Sequence, residues 1–174
     1  MNNKNTECGG IIINHDLSKL LIVFQRASQK WGLPKGHMNY HEIKNNCKRQ
    51  CAEREVLEET GIDLRKKNTG TLIGKENMNN KLFYIYKLNM QQVKLNPEDK
   101  NEISDIKWYD IDEIDGFVNE QNCNRSLREF NRRKSKIKRK LSNNNELIKN
   151  LNYSDILNQN YLLSISKLYK ATYY

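Results

Sequence analysis

Apolar and polar positions fall into short blocks with different periods. Residues 7–13 (ECGGIII) form a β-branched apolar run, with glycines where backbones can approach closely, and predict a strand. Asn14, His15 and Asp16 predict a turn, and residues 19–26 (KLLIVFQR) a second strand. Residues 31–37 (WGLPKGH) read as a loop, and residues 63–78 as a polar connection holding a short strand at 70–73. In 81–88 (KLFYIYKL), Phe83, Ile85 and Leu88 set against Tyr84 and Tyr86 predict a strand. Pro97 keeps 91–101 irregular, and 102–109 leads into a last strand. Between these strands a helix is expected to begin within 43–47 and to end near Thr60, with Ala52 and Val56 turned to the core. From Arg125 the period becomes helical, and Leu127, Phe130, Ile137 and Leu141 make an apolar stripe. Asn143, Asn144 and Asn145 are expected to interrupt it. Short helices then follow at 146–151 and 154–169, the second capped by Ser154.

The helix ending near Thr60 carries the chemistry. Glu55, Glu58 and Glu59 stand at i, i+3 and i+4, so three carboxylates share one face and repel unless a cation collects them. Hard oxygen donors of this kind suit Mg²⁺ or Mn²⁺. Gly61 ends the helix because it enters the left-handed region without a Cβ penalty. Glu53, about 160° from the centre of the acidic face, is expected in solvent, and Arg54 is turned roughly 100° away from Glu55. Upstream, Gly32-Leu33-Pro34-Lys35-Gly36 is a turn-rich loop with a cation, suited to a phosphate chain.

This stretch resembles the Nudix box, G-x5-E-x7-R-E-U-x-E-E-x-G-U, where U is a bulky aliphatic residue. Gly36 and Glu42 match its first half in spacing, and Arg54, Glu55, Val56, Glu58, Glu59, Gly61 and Ile62 fill every fixed position of the second. Eleven residues separate Glu42 from Arg54 where the family has seven. Counting back from Arg54, the usual glutamate would fall on Asn46 and the usual glycine on Tyr40. The four extra residues read as a longer loop or about one added helical turn.

The resemblance covers about residues 7–118 and implies an α/β Nudix fold, a mixed sheet sandwiched between helices. It implies a metal-dependent pyrophosphohydrolase using Mg²⁺ or Mn²⁺ on Glu55, Glu58, Glu59, Glu102 and the backbone of Gly36. Glu55 would be part of the base, a role Glu102 can also take, and Arg54 would orient Glu42 without touching substrate. Glu102 stands six residues before Trp108, with Glu98 and Asp105 as rivals. Lys35 and Gly36 would meet phosphate oxygens. Residues 110–117 would form a short acidic helix. The segment W-x-x-P-K-G is similar to one in Nudix enzymes that remove RNA caps or hydrolyse inositol pyrophosphates. Trp31 is either a core anchor or a substrate contact.

Composition sharpens this picture in two places. The net charge is +9, yet residues 125–149 hold ten Lys or Arg against two Glu, so this block alone is +8. Such a block implies a polyanionic partner, and Arg132, Arg133, Lys134 and Lys138 are the expected RNA contacts. The four cysteines include no CxxC pair, which fits reduced thiols. His37, His41, Cys47 and Cys51 run as H-x3-H-x5-C-x3-C, unlike the usual zinc-finger spacings, and the alternative is packing along the helix. Lacking a long apolar run or a signal-peptide pattern, the chain is expected to be soluble and cytoplasmic, or in the host cytoplasm if viral. The expected organisation is a disordered start over 1–6, a catalytic domain over 7–118 and a basic helical extension over 119–174.

Three functions stay open. The favoured one is removal of the 7-methylguanosine cap from RNA. Another is hydrolysis of diadenosine polyphosphates, inositol pyrophosphates or nucleoside diphosphate derivatives. The third is an RNA-binding module that has lost hydrolysis.

Overall fold

The computed structural model describes the backbone of residues 6–157 and the side chains up to residue 143. In chain order the described elements are β1 (Glu7–Asn14), β2 (Lys19–Gln25), β3 (Lys30–Gly32), β4 (Lys35–His37), α1 (Tyr40–Lys44), α2 (Lys48–Thr60), β5 (Thr71–Met78), β6 (Lys81–Leu88), β7 (Ile103–Asp110), α3 (Ile114–Glu120) and α4 (Arg125–Leu157). The strands join in one mixed sheet of order β3-β2-β1-β6-β5, with β4 on β1 and β7 on β2. β1 and β6 run parallel from Cys8↔Leu82 to Asn14↔Leu88, and the other pairs are antiparallel.

The two faces of the sheet follow from the period of two. On one, Ile12, Leu21, Tyr86 and Leu88 pack with Val56 of α2 and with Ile62 and Leu64, and Trp108 joins from the side. A Cβ on Gly10 would meet Val56 Cγ2 at 2.5 Å, so this glycine lets α2 lie close on the strands. On the other, Trp31 and Tyr109 meet Phe117 of α3, with ring centroids 5.8 and 4.4 Å apart. The expected sheet between helices is therefore the one observed. Compactness divides the chain after Ser135. The first unit holds every described strand, and Leu127 and Phe130 of its last helical stretch are buried. In the second unit the described backbone is the continuation of α4.

Several expectations need correction. The segment read as a loop over 31–37 contains β3 and β4, each short and fixed by pairing, with β2 and β1 respectively. β5 is twice the length of the short strand expected at 70–73, because it pairs with β6 from Thr71 to Met78 around an irregularity between Leu72 and Gly74. Asn143, Asn144 and Asn145 do not interrupt α4, and Ser154 lies inside it and does not cap a new helix. Asparagine costs only about half a kcal/mol per helical position, far less than proline. Residues 1–5 and 158–174, which include most of the expected disordered start and of the last helix, lie outside the described residues.

Candidate active site

The extra residues of the box become a helix of their own. α1 is closed by a capping box: Asn39 Oδ1 accepts the Glu42 N–H at 2.9 Å, and Glu42 Oε2 accepts the Asn39 N–H at 2.8 Å. Asn46 then turns the chain at φ 52, a conformation asparagine tolerates, and α2 starts afresh at Lys48. Glu42 is thereby held beside Arg54 in spite of the longer spacing. Arg54 Nε and Nη2 reach Glu42 Oε1 and Oε2 at 2.9 and 3.0 Å. Burial alone would raise the Glu42 carboxyl, but the Arg54 bonds and the Asn39 N–H outweigh it and hold it below its usual range.

Arg54 does not stay off the acidic face, as its helical angle had implied. Its side chain is long enough to fold back, and Nη1 bonds Glu55 Oε1 at 2.7 Å and Glu58 Oε2 at 2.9 Å. Nη2 also donates to the His37 carbonyl at 2.8 Å. One guanidinium thus ties α1, β4 and two helix glutamates together.

Glu55 and Glu59 are buried and Glu58 is half-exposed. Burial pushes the Glu55 carboxyl up, against the pull of Arg54. Glu59 is pushed up to about 9, by burial first and then by the charges of Glu102 and Glu55. Its Oε2 accepts the Lys35 N–H at 3.3 Å, while Oε1 is buried without a partner among the described residues. Glu102 stands exposed before β7, its N–H held by Asp99 Oδ1 at 3.0 Å. The loop before it is pinned to α2, where the Glu58 carbonyl accepts the Glu98 N–H at 2.9 Å. Glu102 is the loop acid whose charge presses on both Glu55 and Glu59, unlike its rival Asp105, which sits out along β7 opposite Phe24.

These residues suit a hard divalent cation. A buried carboxyl oxygen without a donor, its acidity lowered by burial and by two further acids, is stabilised by a proton or, once ionised, by a cation. Among the described residues no three His, Cys, Asp or Glu groups are placed to hold a metal ion, and Glu55 and Glu58 are paired with Arg54. The His37, His41, Cys47 and Cys51 set does not converge either. Cys51 is in the core with Cys8 and Met38, and Cys47 caps α2.

The remaining expected residues divide. The Gly36 backbone lies against Glu55, but the Lys35 ammonium turns away to Glu7 Oε1 at 3.3 Å. Trp31 is packed against Phe24 and Phe117 with the Lys107 ammonium 4.1 Å from its ring centroid, so it anchors β3. On α4, Arg132 and Arg133 pair with Glu129, and Lys134 with Asp115. Lys138 belongs to the second unit. Glu53 is not solvated: it is buried, accepting from the Tyr86 hydroxyl at 2.6 Å and from Arg49 at 2.7 Å. Asn39 was overlooked, although Asn-x-x-Glu ahead of a helix is a legible capping signal. Nothing in the sequence signals that Glu7 would hold Lys35.

The family model described as NUDIX domain matches residues 6–132. Over 108 residues the chain is 32% identical to the mRNA-decapping enzyme subunit 2 of Saccharomyces cerevisiae, which covers 61% of this chain and 11% of the yeast protein. Over 109 residues it is 35% identical to a protein of Invertebrate iridescent virus 3 named as a hydrolase, covering 61% of this chain and 55% of the viral one. The chain thus spans from about a tenth to about half the length of these curated relatives. A Caenorhabditis elegans Ap4A hydrolase complex superposes with a TM-score of 0.50 at 17% identity, over 83% of this chain and 98% of that one, a likeness of fold alone.

Proposed function

The chain belongs to the NUDIX domain family, and from that premise we propose that it hydrolyses a phosphoanhydride with Mg²⁺ or Mn²⁺, its substrate being 7-methylguanosine-capped RNA. The observation that carries the hydrolytic reading is Glu59, a buried carboxylate with an unpartnered oxygen between Glu55 and Glu102. Support for capped RNA comes from the similarity to the yeast decapping subunit and from the +8 block over residues 125–149.

Glu55, Glu58, Glu59, Glu102 and the Gly36 carbonyl would hold the metal, which supplies charge neutralisation at phosphate and a more acidic water. The chain's own groups do the rest. Arg54 bonds Glu55 through Oε1 and leaves Oε2 to accept the proton of the attacking water. Glu102 is the second acid able to take it. Glu42 holds Arg54, which in turn fixes Glu55 and Glu58, so Glu42 and Arg54 are positioning residues. The Lys35 N–H orients Glu59. Arg132, Arg133, Lys134 and Lys138 attract the RNA backbone without reading its sequence. With such a substrate the protein acts in the cytoplasm; among the described residues no helix is long and apolar enough to cross a membrane.

The deciding experiment assays the full chain with Mg²⁺ and with Mn²⁺ on capped RNA, diadenosine polyphosphates, inositol pyrophosphates and nucleoside diphosphate derivatives. Release of a 7-methylguanosine nucleotide, lost in Glu58→Gln and Glu59→Gln, is the expected result. Turnover of the small molecules alone rejects capped RNA. No diphosphate hydrolysis, with both variants indistinguishable from the parent chain, leaves a binding module.

A further inference from the structure

Away from the acidic cluster, a cavity of about 640 Å³ opens between the β2–β3 turn and the start of α4. Lys30, Lys35, Lys81, Arg125 and Arg128 line it, and no Asp or Glu does. Two of these, Lys35 and Lys81, pair with the carboxylate of Glu7, which lies outside the lining. Among the described residues no carboxylate pairs with Lys30, Arg125 or Arg128. The Arg128 guanidinium is fixed by the carbonyls of Cys123 and Val118, at 3.1 and 3.2 Å.

Two further observations point to an acceptor. Asn124 and Ser126 line the same cavity, and Ser126 Oγ is a buried donor without a partner among the described residues; Asn124 Nδ2, also unpartnered, lies against Gly32 of β3. Ser126 is 1% exposed. A buried donor left unmade is costly, and an oxygen-rich ligand removes that cost. These residues also form the N-terminus of α4, where Asn124 Oδ1 caps the Leu127 N–H at 3.0 Å. The positive end of the helix dipole adds to the lysines and arginines.

We propose that this cavity is a phosphate-binding site, separate from the acidic cluster and joined to it through Lys35. The backbone N–H of Lys35 serves Glu59 while its ammonium serves the cavity. Glu7 is the resident competitor, which an incoming phosphate displaces from Lys35 and Lys81. That the phosphate belongs to the hydrolase's own substrate rests on the function proposed above; phosphate binding itself does not.

The full chain is titrated with inorganic tripolyphosphate in EDTA, where no hydrolysis occurs. Lys30→Gln with Arg125→Gln weakens binding by roughly tenfold or more, since charge-assisted bonds are lost. Ser126→Ala weakens it without a change of charge. Glu7→Gln tightens it, a sign that a merely structural role for Glu7 would not give. Equal affinity in the parent chain and all three variants, with unaltered circular dichroism, overturns the site. A second arm compares KM for capped RNA and for a capped dinucleotide in the Lys30/Arg125 variant. A rise for RNA alone assigns the site to backbone phosphates beyond the cap, and a rise for both assigns it to the cap's own phosphates. An unmoved KM for both overturns the link to substrate. Should no substrate turn over at all, the functional reading falls, while the tripolyphosphate titration still decides the site.

Discussion

A Cβ at Gly36 would lie 2.1 Å from Glu55 Oε2. β4 therefore leaves a space the width of a side chain, and a carboxylate fills it. Gly36→Ala meets only the flexible end of a glutamate, so the fold should lose less than about 1 kcal/mol. If Glu55 is the base proposed above, activity should fall roughly a hundredfold, because its carboxylate is displaced. Chemical denaturation and steady-state kinetics on one preparation check both halves.

Glu59 should make metal-free stability depend on pH. Its folded pKa, about 9, lies above its unfolded value. The contribution is therefore fully present below the ordinary carboxylate range and is lost as pH rises through about 9. Melting temperatures in EDTA should decline from pH 5 to pH 9, less steeply in Glu59→Gln, and Mg²⁺ should offset the decline. A parent profile as flat as that of the variant would contradict this.

In the proposed metal site the same carboxyl would release its proton to solvent when it takes up a cation. Near neutral pH, Mn²⁺ binding should release about one proton, and apparent affinity should rise with pH toward 9. Calorimetry in buffers of different ionisation enthalpy reads the proton directly.

Arg54→Lys keeps the charge and loses the fork. Glu42, buried and bonded by two Arg54 nitrogens, would be left with one at best. A cost of about 2–4 kcal/mol is expected, together with a loss of kcat. In a double-mutant cycle with Glu42→Gln the two changes should fall short of additivity by at least about 1 kcal/mol.

Tyr86→Phe removes a donor from the buried Glu53 and should cost about 1–3 kcal/mol. Activity per folded molecule should stay within about twofold, as Tyr86 and Glu53 lie outside the acidic cluster. Urea denaturation beside a metal-dependent assay separates the two.

Local signals were the legible ones. The i, i+3, i+4 acids, the stop at Gly61 with φ 78 and the apolar runs of β1, β2 and β6 depend on neighbours in sequence. What escaped depends on distant partners. Glu53 looked solvated because a helical wheel cannot include Tyr86, which lies 33 residues away. β4 looked like a loop because three residues become a strand only when Glu7, Cys8 and Gly9 stand opposite. Arg54 was misplaced because its angle describes the Cα, whereas its charge sits at the far end of a long flexible stem.

The parallel register of β1 and β6 bears on how the molecule is made. β1 meets β2 at Ile13↔Leu20, while its long ladder is with residues 82–88. A nascent chain emerging from a ribosome therefore carries its first strand half-unpartnered until β6 is free of the exit tunnel. Glu102 emerges later still, so it joins Glu55 and Glu59 only after α2 and β6 are made. Stalled chains in which residue 88 has not yet left the exit tunnel should be open to proteases in β1, and should become resistant only once it has emerged.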